Sequence, residues 1–127
     1  MWGGQRNGRH GGRMTEAKSA ILQGTLDLMV LKTLDVMGPL HGYGIAVRLE
    51  HMSDEVLRFN QGTVYASLLR LVQRGWIRAA WGVSDHNRRA KFYSITKAGR
   101  RRLAAEARHW HDVSGVIGRL LALTAGS

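Results

Sequence analysis

The chain has 127 residues, 44% of them hydrophobic, with 19 Lys and Arg against 9 Asp and Glu, a formal net charge of +10 and a pI near 11.3. One domain with a real core is the default at this length, with roughly two-thirds of the unfolded surface buried, and the hydrophobic share argues against wholesale disorder. The absence of cysteine excludes disulfides, thiolate zinc sites and cysteine nucleophiles, while the lack of a membrane-length apolar run or a signal-peptide core fits a cytoplasmic protein.

Residues 1–19 carry five glycines and several basic residues with almost nothing to bury, and read as a disordered basic tail. Ile21 to Met37 is the first predicted helix. Leu26, Met29, Val30, Leu34 and Met37 recur at helical spacing. Gly24-Thr25 can open it, with Thr25 as cap and Asp27 near the positive end of the dipole. Gly38-Pro39 stops it. A second helix begins around His41-Gly42-Tyr43-Gly44 and runs to about Met52, with Ile45, Leu49 and Met52 on one face. Its two early glycines suggest close approach of a neighbouring element. Tyr43 reads as a core residue, with a phosphate contact as the alternative. Ser53 to Phe59 is a short connection anchored by Val56, Leu57 and Phe59.

The helix from Gln61 has both ends marked, by Asn60 as N-cap and by Gly75 at a left-handed exit. Val64, Leu68, Leu71 and Val72 form its apolar stripe. The other face, with Gly62, Thr63, Ala66, Arg70, Gln73 and Arg74, holds no acid. After Gly75 the period changes from 3.6 to 2. Ile77, Ala79, Trp81 and Val83 alternate with Arg78, Ala80 and Gly82, and Lys91, Tyr93 and Ile95 alternate with Phe92 and Ser94. The polar segment Ser84 to Arg89 between the two runs makes a hairpin with a basic tip. Thr96 caps a final long helix on which Leu103, Ala107, Trp110, Ser114, Ile117 and Leu121 form a heptad seam. So much apolar surface must be buried, on the first helix of the same chain or of a second copy.

The expected fold is α+β and mainly helical: a winged helix-turn-helix DNA-binding domain over residues 20–95, followed by a long C-terminal dimerisation helix over residues 96–123. From Arg58 to Arg108, Lys and Arg outnumber acids twelve to two, Asp85 and Glu106 being the two. Asp27, Asp35, Glu50 and Asp54 lie earlier. Positive charge gathered around one helix and one hairpin points to double-stranded DNA rather than to a membrane surface, which would want the charge on a single amphipathic helix. Arg88, Arg89 and Lys91 are placed to reach phosphate or the minor groove. Arg100, Arg101 and Arg102 face either DNA or solvent.

No nucleophile with a base, phosphate loop or carboxylate pair suggests an enzyme, and no cofactor is expected. His109 and His111 are two apart on a helix and point away from each other, so they cannot share a metal. Trp110 either fills a dimer interface or, with its twin, sandwiches a planar aromatic molecule.

In this order the strings Gly24-Thr25-Leu26, Gly38-Pro39-Leu40-His41-Gly42-Tyr43, Gly62-Thr63-Val64-Tyr65, Gly75-Trp76-Ile77, Trp81-Gly82, Arg88-Arg89, Phe92-Tyr93-Ser94-Ile95-Thr96 and Ala98-Gly99 resemble the PadR family of bacterial transcriptional regulators, in particular its short members with one C-terminal helix. The resemblance implies a dimeric winged-helix repressor released by a small ligand, with DNA contacts from Gln61, Gly62, Thr63 and Tyr65 and from Arg88 and Arg89. Many members have proline where this chain has Ala66, which bears on base preference rather than on fold. Amide and hydroxyl make Gln61 and Thr63 the candidates for base edges. Tyr65, Arg70 and the wing arginines are expected on phosphates. Leu103, Ala107, Trp110, Ile117 and Leu121 are the expected dimer and ligand residues. A nucleic-acid binder without ligand response is the alternative reading.

Overall fold

A computed structural model describes residues 23–53 and 59–126. In chain order it contains α1 (described over residues 23–37), β1 (Leu40–His41), α2 (Gly42–Met52), α3 (Gln61–Gln73), β2 (Ile77–Val83), β3 (Arg89–Ile95) and α4 (Lys97–Leu121). The expected basic tail, and Val56 and Leu57 of the connection, lie outside the described residues. The sheet is antiparallel in the order β1-β3-β2, with Leu40 opposite Tyr93, Ile77 opposite Ile95 and Trp81 opposite Lys91. The short strand β1 has no periodic signal of its own. It forms because the chain leaving α1 runs beside β3.

The helix ends follow local chemistry. Gly38, at φ 82°, donates its N–H to Leu34 and turns the chain out of α1. Asn60 caps α3 by accepting the Thr63 N–H at 2.7 Å. Gly75, at φ 76°, and Trp76 donate to the Val72 and Leu71 carbonyls, a Schellman ending. Thr25 is not the cap expected of it. Residues 23 and 24 are already helical, so Thr25 sits inside the helix. Among the described residues, nothing stands within 4 Å of where a Cβ on Gly24 would lie.

One core joins all the elements: Leu26, Val30, Leu31 and Leu34 of α1, Ile45 and Leu49 of α2, Val64, Leu68 and Leu71 of α3, Ile77, Tyr93 and Ile95 of the sheet, and Leu103 of α4. Phe59 packs against its edge. Several sequence expectations shift here. The buried stripe of α3 uses Ser67 at i+3 and leaves Val72 exposed. Met37 and Met52 also face outward. Tyr43 is 58% exposed and is not a core residue. On β2 only Ile77 is buried, because the hairpin outruns the core beneath it and carries Trp81 and Val83 into solvent.

The buried polar group at the α1–α3 contact is Asp27. It accepts the Ser67 hydroxyl at 2.5 Å and a two-pronged contact from Arg70, Nε to Oδ2 at 3.2 Å and the terminal guanidinium nitrogen to Oδ1 at 2.8 Å. A carboxylate in an otherwise apolar stripe stays there only when its lone pairs are met in this way. Asp27→Ala is expected to lower stability by about 2–3 kcal/mol in urea unfolding, because it strands the partners of a buried ion pair. The residual exposure of Arg70 brings the loss to or just below the lower bound for fully buried pairs. Asp27→Ala and Arg70→Ala together should lose less than the sum of the two.

Helix α4 is anchored at its start. Thr96 accepts the Gly99 N–H, donates its hydroxyl to Gly75 O at 2.7 Å, and donates its own N–H to Trp76 O. Gly99 lies against that Trp76 carbonyl so closely that a Cβ would overlap the oxygen. Beyond Leu103 no described residue of α4 is buried, although the helix continues beside α1 as far as Val113.

Candidate nucleic-acid interface

The first turn of α3 is open to solvent. Gln61, Gly62, Thr63 and Tyr65 are all exposed, and the first turn has no acid. Gly62 meets little but the Asn60 oxygen, at 3.4 Å from where its Cβ would stand. Among the described residues nothing demands its small size, which leaves the backbone open to an outside surface. The Thr63 hydroxyl donates to Asn60 Oδ1 at 2.9 Å, so its lone pairs are what remain to offer. Tyr65 lies across the start of α2, where a Cβ on Gly42 would come within 2.8 Å of the phenol carbon Cζ. Burial, and then the nearby Tyr65 hydroxyl, push the Tyr93 phenol above its usual pKa.

The wing tip stands beside this turn. Ser84 and Arg88 bond across it, and Asn87 takes φ 59°, a conformation asparagine tolerates well. Arg88, Arg89 and Lys91 are exposed. Arg89 and Lys91 lie over the Trp81 ring at 4.7 and 5.5 Å, which holds two cations in place without a carboxylate. A cleft of about 530 Å³ runs between the wing tip and the helices, lined by His41, Tyr43 and Tyr65 on one side and His86, Arg88 and Arg89 on the other.

Arg70 does not join this surface. Its guanidinium donates to Asp27 through Nε and one terminal nitrogen, a brace between α1 and α3 at a residue the sequence offered for a phosphate contact. Two of the three arginines at the start of α4 are likewise engaged within the chain. Arg100 pairs with Asp35 at 3.4 Å, and Arg102 pairs with Glu106 while its guanidinium stacks on Trp76 at 4.8 Å.

Of the expected dimer and ligand residues, Leu103 belongs to the core of its own domain. Ala107, Trp110, Ile117 and Leu121 are exposed along α4. Trp110 borders two cavities between α1 and α4, of about 340 and 580 Å³. Among the described residues, no group of three or more His, Asp and Glu could hold a metal, and no helix is long and apolar enough to cross a membrane.

Sequence reasoning missed the aromatic seat under the wing cations and the Asp27 brace. A signal for the brace was present, a lone acid in the α1 stripe matched by Ser67 and Arg70 three apart on α3.

Helices α2 and α3 with the β2–β3 hairpin define a winged helix whose exposed helix start and wing tip share one basic face. The chain belongs to the transcriptional regulator PadR-like family, whose model matches residues 30–105, a family of regulators rather than enzymes. It is 30% identical over 101 residues to an uncharacterised protein of Lysinibacillus sphaericus, covering 79% of this chain and 91% of that one. A transcriptional regulator from Clostridium thermocellum is 25% identical with a TM-score of 0.70, over 79% of this chain and 93% of that one. The fold is also that of Bacillus subtilis PadR in complex with operator DNA, 22% identical with a TM-score of 0.58, over 65% of this chain and 46% of that one.

Proposed function

We propose that the chain is a repressor that binds operator DNA as a homodimer and is released by a small hydrophobic or aromatic effector. The observation that carries the reading is the shared exposure of the α3 start and the wing tip on one basic, carboxylate-poor face. In this reading α3 enters the major groove. Gln61 and Thr63 meet base edges, Gly62 lets the backbone come close, and Tyr65, Arg88, Arg89 and Lys91 hold phosphates. The B. subtilis PadR that shares the fold was crystallised with operator DNA, which supports DNA as the partner.

The homodimer rests on α4, where Trp110, Ile117, Leu120 and Leu121 are about half exposed or more, more apolar surface than a solvated helix needs. Two copies would set their α3 helices roughly 34–36 Å apart on a two-fold related site. The effector would lie beside Trp110, in the cavities between α1 and α4.

The test is to sequence the duplexes that the purified protein retains from a random pool. A two-fold related motif is expected, preferred over random DNA by about 10³ or more. A ratio near one would leave a non-specific nucleic-acid binder, and a monomer by light scattering would remove the two-fold operator.

A further inference from the structure

The α3 start and the wing arginines are two sides of the proposed DNA-binding face. A DNA contact from these two alone does not account for a third, the opening of α2, which also walls the cleft between them. His41 caps that helix, its Nδ1 accepting the Gly44 N–H at 3.0 Å. That bond fixes the tautomer, since an Nδ1 that accepts leaves the ring proton on Nε2, a donor. The ring is also held from two sides. It stacks on Tyr43 at 6.4 Å between centroids and meets the edge of Phe92 at 5.5 Å. Tyr43 is 58% exposed and is not among the described residues that form or pack against the core. Across the cleft stand His86 and Arg88. Among the described residues no carboxylate pairs with Arg88 or Arg89, and Asp85, at the turn, does not line the cleft. The walls therefore supply donors and positive charge around a space of about 530 Å³.

We infer that this cleft is a clamp for one phosphate of the DNA backbone, with His41 Nε2–H and the Tyr43 hydroxyl closing on it from α2 while Arg88 and His86 close from the wing. The inference rests on the DNA-binding reading and adds a contact from a third element. A phosphate has acceptor oxygens only, and each of these four side chains can donate to it. His41 and Tyr43 do so from groups whose geometry is set before DNA arrives, so little ordering is lost on binding. A contact of this kind fixes the position of α3 in the groove and carries no sequence information.

The variants are His41→Asn, which keeps a cap acceptor for α2, Tyr43→Phe, and the two combined. Binding is measured on a selected operator and on a random duplex across a salt series. The combined variant is expected to bind both duplexes about tenfold more weakly. Its slope of log affinity against log salt should stay that of the parent, because the lost donors neutralise no charge. Unchanged affinity in a variant with the parent's circular dichroism and melting would overturn the clamp. Tyr43→Phe alone carries the test if the His41 change unfolds the protein. Inorganic phosphate at fixed ionic strength distinguishes a free anion from a backbone phosphate. Displacement of DNA by phosphate beyond that by chloride, lost in the combined variant, would make the free anion the ligand and overturn the assignment. If the parent retains no duplex at all, the DNA-binding reading falls and the clamp with it. If the parent binds and the variants match it, only the clamp falls.

Discussion

Gly99→Ala is expected to destabilise the protein by about 3 kcal/mol, since forcing atoms into a packed site displaces the neighbours on both sides. The added Cβ would overlap the Trp76 carbonyl oxygen and stand 2.8 Å from the Ile95 side chain. Neither neighbour can step aside. The carbonyl is held by the Thr96 N–H, and Ile95 is part of the core. Alanine is otherwise favoured over glycine inside a helix by about 1 kcal/mol, so a loss here has the opposite sign from that of propensity. Thermal unfolding should show a fall of roughly 10 °C for a chain of this size. Gly118→Ala is the control. It has open space around it, and alanine there should be neutral or mildly stabilising. An undiminished melting temperature for Gly99→Ala would mean that α4 is not seated on Trp76.

The second large effect is expected at the wing. Arg88→Ala with Arg89→Ala removes four cations from the proposed dimer. With about eight phosphates neutralised, the parent's slope of log affinity against log salt should be near −7, and losing four contacts should bring it to about −3 to −4. Affinity at moderate salt should fall on the order of 100-fold on operator and random DNA alike, because phosphate contacts position without specifying. A shift in base preference would instead show that the wing reads bases. Gln61→Ala provides the contrast, since loss of a base contact should relax preference at one position and leave the slope nearly unchanged.

Most of the fold was legible because its signals are local. Asn60, Gly75, Thr96 and Gly38 mark ends by side-chain or backbone chemistry that needs no knowledge of the partner element, and the change from period 3.6 to period 2 after Gly75 marks the hairpin. What was not legible depends on contacts between distant residues. The exposure of Trp81 follows from how far the hairpin outruns the core, which its alternation cannot reveal. The capture of Arg70 requires Asp27, 43 positions earlier. Leu103 fits a heptad seam by spacing, yet the seating of α4 on Trp76 turns it into its own domain. The interface was half legible: the strings Gln61 to Tyr65 and Arg88-Arg89 stand out in sequence, whereas the approach of His41 and Tyr43 to them exists only once β1 pairs with β3.

The Trp76 carbonyl ends up with a mechanical consequence. It is where the exit from α3 meets the root of α4, so one peptide serves as the fulcrum between α3 and a rod of 25 residues. At 1.5 Å per residue that rod extends about 37 Å, and a tilt of about 5° at its root swings the tip by about 3 Å. In the proposed two-fold pair the tips would be tied to each other, so the same few degrees would reappear as a change in the distance between the two α3 helices.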